Sequence, residues 1–121
     1  LLFMKLNHLS LAVPNVLSVS AFMQQYFGFR QQELKGDKIA VLSGNDHFIL
    51  VLTASRPGEV PYPSDFHFGF MLDRPEEVSA LYEKLIAGGH PVPRAPAKIR
   101  NSFAFYFHIP GGVMAEISCT L

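Results

Sequence analysis

The sequence holds one cysteine, Cys119, and no tryptophan. A single thiol cannot close an internal disulfide, so nothing calls for an oxidising compartment. Charge is scarce: only 17% of residues are Asp, Glu, Lys or Arg, and ten acidic residues cancel ten basic ones. With no basic excess to neutralise phosphates, nucleic acid is not an expected partner. No apolar run approaches the ~18–20 residues that span a bilayer. The longest, Phe48–Leu52, is strand-sized, and no continuous apolar stretch of the secretory kind follows Lys5. These absences predict a cytoplasmic protein without a membrane partner. Leu1–Phe3 precede Met4, which is the expected natural start.

Apolar residues are abundant instead, at 49% of 121 positions. That balance excludes disorder as the main state, and the length suits one domain. A chain of this size buries only roughly 60–70% of its surface on folding. The surplus is therefore expected in a subunit interface or an apolar pocket.

The pattern repeats. Asn7–Val13 reads as a strand, and Val16, Val19, Phe22, Met23, Tyr26 and Phe27 follow at helical spacing before Gly28. Phe66–Leu72 reads as a second strand, followed by Val78, Leu81, Tyr82, Leu85 and Ile86 before Gly88-Gly89. Asp73 and Glu76 resemble a capping box at the start of the second helix. The two segments align without a gap, His8 falling on His67. Strand-like runs follow each helix: Gly28–Glu33, Lys38–Ser43 and His47–Thr53, then His90–Arg94, Phe103–Ile109 and Val113–Cys119. The expected fold is α+β, a single domain of two βαβββ modules forming a cupped mixed sheet. The modules run over about 4–54 and 66–121, with a Pro-, Gly- and Ser-rich linker over about 55–65.

Strand residues of equal parity share a face. His8 and His67 hold equivalent places in repeated strands, and Glu116 sits inside the apolar run of the last strand. A carboxylate there is costly unless paired or metal-bound. Two imidazoles and one carboxylate form a ligand set for Fe, Mn, Zn or Ni that leaves coordination positions open. Tyr106 could donate to an oxygen at such a centre, or be an amphipathic core aromatic. Arg100, Asn101 and Ser102 interrupt an apolar stretch and suit an anionic or oxygen-rich substrate, or form a solvated loop. Phe48 and Phe103 are candidate pocket walls, with core packing as the alternative.

His8-Leu-Ser-Leu-Ala-Val, Tyr26-Phe27-Gly28-Phe29, Phe66-His67-Phe68-Gly69-Phe70 and the close Phe105–Glu116 resemble the vicinal oxygen chelate superfamily of glyoxalases, bleomycin and fosfomycin resistance proteins and extradiol dioxygenases. The resemblance runs from about Lys5 to Ser118. It implies paired βαβββ modules, often a homodimer whose cups hold residues of both chains, with His8, His67 and Glu116 as metal ligands. It also implies a metal acting as Lewis acid on a small substrate that chelates through adjacent oxygens, in lyase, transferase or dioxygenase chemistry. Glyoxalase I has a fourth ligand near the end of the first module; here Val51 stands at about that place, and valine ligates nothing. Fosfomycin resistance proteins carry a tyrosine ten residues before the glutamate, where Tyr106 stands, and a cation for which Arg100 or Lys98 would serve. Extradiol dioxygenases need further histidines, for which His47 and His108 are the nearby candidates. The rival expectation is a dimeric bleomycin-resistance-type protein that sequesters a drug or metabolite without catalysis.

Overall fold

The computed structural model of the chain describes residues 2–59 and 62–121. Val60 and Pro61 of the expected linker lie outside the described residues. The chain divides into two compact units, one ending at residue 61 and the other beginning at residue 62. No helix among the described residues is long and apolar enough to cross a membrane.

The first unit comprises β1 (His8–Val13), α1 (Val16–Phe27), β2 (Arg30–Lys35), β3 (Ile39–Ser43) and β4 (Ile49–Ala54). Its sheet has the order β1-β4-β3-β2, with β1 parallel to β4 and the other pairs antiparallel. Helix α1 starts where the Asn15 side chain accepts the Ser18 amide at 3.0 Å, a cap that contributes about 1 kcal/mol. It stops at Gly28, whose φ of 72° is open to glycine at little cost. Val16, Val19, Phe22 and Met23 bury one stripe of α1. That stripe packs on β3 and β4, over Ala40, Leu42, Leu50 and Leu52. The alternate residues Ile39, Val41, Ile49 and Val51 stay half-buried on the other face. Edge strand β2, Arg-Gln-Gln-Glu-Leu-Lys, is exposed throughout, and its polar side chains suit an unpaired edge.

The second unit repeats this plan with β5 (His67–Met71), α2 (Pro75–Ala87), β6 (Ala97–Ile99), β7 (Ser102–His108) and β8 (Met114–Thr120), in the order β5-β8-β7-β6. Here α2 covers β7 and β8. Phe105 and Phe107 lie beneath it, the Phe105 ring meeting Tyr82 edge-on at 5.7 Å.

Two local expectations shift. The expected strand His90–Arg94 is not one; the pairing segment is Ala97–Ile99. Pro91, Pro93 and Pro96 cannot donate to a ladder, so pairing waits until they are passed. The cap of α2 falls one residue later than Asp73: Arg74 precedes Pro75, and the Glu77 carboxylate accepts the Arg74 amide at 3.1 Å. Proline fits the first helical position because no partner awaits an N–H there.

Candidate functional site

The face of the second sheet away from α2 carries Glu116, Tyr106 and His67. Register sets its rows: Gly69 lies beside Glu116 on β8, and Glu116 beside Tyr106 on β7. The corresponding row of the first unit is Ser10, Val51 and Val41. The same scaffold thus presents a carboxylate and a phenol in one unit and two valines in the other. Val51 is the counterpart of Glu116 by pairing as well as by position in the repeat.

His67 and Glu116 meet on this face, Nε2 lying 3.2 Å from Oε1 with both side chains partly exposed. The His67 Nδ1 lies 3.0 Å from the Asp65 carbonyl oxygen. A carbonyl only accepts, so Nδ1 carries the proton and Nε2 is the atom left for another partner. His8, at the equivalent place of the first unit, repeats the arrangement: its Nδ1 lies 2.8 Å from Asn7 Oδ1. This is how ligating histidines are held, one nitrogen engaged with an oxygen to fix the tautomer and the other presented. An imidazole nitrogen facing a carboxylate oxygen requires either a proton or a cation between them, so the pair fits a divalent metal.

Tyr106 completes the cluster. Its ring stands edge-on to His67 at 5.8 Å. Its hydroxyl donates to Glu116 and is pushed above the usual phenol range by burial, by that hydrogen bond and by the carboxylate charge, with Arg100 opposing. The phenol therefore stays protonated at neutral pH, as a donor. An open cavity of about 410 Å³ lies over these groups, lined by His67, Glu116, Tyr106, Arg100, Ser102, Ala104 and Ile99.

Arg100 occupies the tip of the two-residue β6–β7 hairpin, between the paired Ile99 and Ser102, with φ at 56°. Glycine or asparagine usually takes such a position, since a Cβ there costs about 1–2 kcal/mol. Asn101, next to it, is exposed and outside the lining; its carbonyl accepts the Leu121 amide at 2.8 Å. Phe103 shares parity with Phe105 and Phe107 and pairs with buried Cys119, so it lies on the face opposite Tyr106. It is not among the residues that line this cavity. Phe48 belongs to the first unit, half-buried beside a 3-10 turn over Asn45–His47, where its carbonyl accepts the Gly44 amide at 2.8 Å. Ser102 stands in the lining beside Arg100, as the polar run Arg100–Ser102 suggests, whereas nothing in that run points to Ala104 or Ile99. A second signal is parity: Ser102 and Ala104 lie even numbers of residues from Tyr106. Within either unit, no three His, Cys, Asp or Glu side chains gather into a metal-binding cluster among the described residues.

Gly69 leaves room beside Glu116. A Cβ there would stand 3.0 Å from the Glu116 carbonyl oxygen and 3.3 Å from its Cβ. Gly69→Val is expected to lower stability by about 1–3 kcal/mol through this overpacking. Urea unfolding measures that loss, and a change below about 0.5 kcal/mol would show that the sheet yields without strain.

Comparison with known proteins agrees with this architecture. Residues 5–117 match the family model of the Glyoxalase/Bleomycin resistance protein/Dioxygenase superfamily. The chain belongs to that superfamily. A solved structure from Bacillus cereus, described as a possible glyoxalase, is 34% identical, covers 97% of this chain and 100% of its own, and superposes with a TM-score of 0.87. The lactoylglutathione lyase of Agrobacterium tumefaciens is 18% identical, with coverage of 95% and 92% and a TM-score of 0.78. The fosfomycin resistance protein FosX of Listeria monocytogenes is 18% identical, with coverage of 99% and 94% and a TM-score of 0.81. The last two share the fold. No curated protein matches the sequence.

Proposed function

We propose that this chain is a cytoplasmic, homodimeric, divalent-metal-dependent enzyme acting on a small substrate that presents two adjacent oxygens. The observation that carries the reading is the presentation of Nε2 by His67, its Nδ1 engaged by the Asp65 carbonyl, against the Glu116 carboxylate. His67 and Glu116 would hold the metal together with His8, from the first unit of the same chain or of a second copy. Fe, Mn, Zn and Ni all suit two imidazoles and a carboxylate. A divalent ion bound there supplies Lewis acidity to the chelating oxygens.

The remaining roles belong to the chain. Tyr106 donates a hydrogen bond to a substrate oxygen and shares Glu116 as its resting acceptor. Arg100, held at a strained hairpin tip on the cavity rim, meets an anionic or oxygen-rich substituent; a backbone outlier at such a place is a mark of function. Gly69 keeps the floor beside Glu116 free of a side chain. With valine at position 51, the first-unit counterpart supplies neither a fourth ligand nor a base, so carboxylate-driven isomerisation is not the reaction proposed.

Metal analysis tests the proposal. Protein purified without chelator is expected to hold one divalent ion per chain, and the stripped protein to rebind one in a calorimetric titration. Absence of stoichiometric binding would overturn the enzyme reading in favour of a binding-only protein. The homodimer rests on the half-buried apolar residues Ile39, Val41, Ile49 and Val51, which the first unit's own helix does not cover. Light scattering is expected to give twice the chain mass of 13.5 kDa. A monomer at micromolar concentration would refute the dimer.

A further inference from the structure

A second cavity adjoins the first on the same unit. It measures about 550 Å³ and shares Ile99, Ala104 and Tyr106 with the cavity over His67 and Glu116. Its wall is apolar: Pro93, Ala95, Ala97 and Met114 join the shared residues. The register explains the space. Ala97 pairs with Ala104, so two methyl groups form a floor where larger side chains would fill the groove. The proline-broken segment ahead of β6 supplies the outer wall, where a continued strand would have presented alternating side chains.

The charge around this cavity has one sign. Its ionisable lining residues, apart from the Tyr106 phenol, are Arg94, Lys98 and His108, and no carboxylate is among them. No ion pair involves Arg94 or Lys98 among the described residues. In a chain with equal numbers of acidic and basic residues, an apolar groove edged only by basic groups is complementary to an apolar anion. Its volume lies within the range of ordinary ligand pockets, ~300–1,000 Å³.

We propose that this cavity binds the apolar, anionic end of the substrate, with Arg94 meeting the anion and the Ala97–Ala104 floor receiving an aromatic or branched aliphatic body. The substrate class is then an amphipathic organic anion. Its oxygen-bearing end passes Tyr106 toward His67 and Glu116. The inference rests on the proposed metal site only for the ligand's being the substrate; the pocket itself is testable without metal.

The probe is 8-anilinonaphthalene-1-sulfonate, an apolar aryl anion, titrated by fluorescence into the full chain in the presence of EDTA. One saturable site per chain is expected. The variant Arg94→Ala is expected to weaken binding at least fivefold, and Ala97→Phe, at an exposed position, to abolish it by filling the floor. Lys35→Ala/Lys38→Ala, which removes two charges from the first unit, is expected to leave binding within twofold. Absence of saturable binding, binding within twofold of the parent in either pocket variant, or equal weakening in the first-unit control would overturn the proposal. Calorimetric metal titration of the parent and of Ala97→Phe separates the two readings. A protein that binds the probe but no metal retains the pocket and loses the enzyme reading; one that binds metal but no probe does the reverse.

Discussion

His67→Ala and Glu116→Gln are each expected to lower divalent-metal affinity by more than about a hundredfold, while the fold survives. Loss of a group that merely orients a ligand costs about 10–100-fold in metal affinity, so loss of a ligand itself exceeds that range. The two side chains lie 3.2 Å apart at 40% and 26% exposure on a sheet face that α2 does not cover. A partly solvated pair of this kind contributes only about 0–1 kcal/mol to stability. Calorimetric titration should therefore show the metal lost, with urea midpoints almost unmoved. His90→Ala supplies the control, since that residue lies just after α2 and outside the cavity lining. Metal affinity retained within tenfold in both site variants would remove His67 and Glu116 from the centre.

Phe105→Ala has the opposite signature. Phe105 is 2% exposed, lies beneath α2, and its ring meets Tyr82 edge-on at 5.7 Å and Phe107 at a tilt at 5.9 Å. Truncation removes these contacts and leaves a void that the surrounding sheet and helix refill only in part. The expected loss is about 3–5 kcal/mol. Against a typical domain stability of about 5–15 kcal/mol, that moves the protein toward its unfolding midpoint at ambient temperature. Denaturant unfolding followed by circular dichroism measures it. A loss below about 1 kcal/mol would mean that the ring does not join helix to sheet. Tyr106, the next residue, faces the other way, so its own truncation is not expected to share this cost.

Much of the architecture was readable before any coordinates. The helical spacing over Val16–Tyr26 and Val78–Leu85, the alternation of Leu50 and Leu52 with Val51, and the alignment of His8 on His67 follow from the 3.6- and 2-residue periods of backbone geometry. These are local rules, and the elements obey them. The mistaken strand at His90–Arg94 also had a local remedy. Three prolines within Pro91–Pro96 remove the donors that pairing needs, so the strand begins only at Ala97. The side of Phe103 is legible in the same way, since its odd separation from Tyr106 assigns it to the other face.

Other features depend on pairing between distant segments, which no local pattern states. The contact between His67 and Glu116, 49 residues apart in the chain, exists because β5 and β8 pair in parallel with Gly69 beside Glu116. The empty place at Gly69 and the Ala97–Ala104 floor are products of register. Arg100 acquires its left-handed backbone because β6 and β7 close with only two residues between them. Composition and periodicity were enough to determine the repeat, its faces and the residue types available for chemistry, because each is a property of neighbours along the chain. Which of those residues stand together, and which cavities they surround, was decided by strand register, because hydrogen-bonded pairing is where residues far apart in sequence become neighbours.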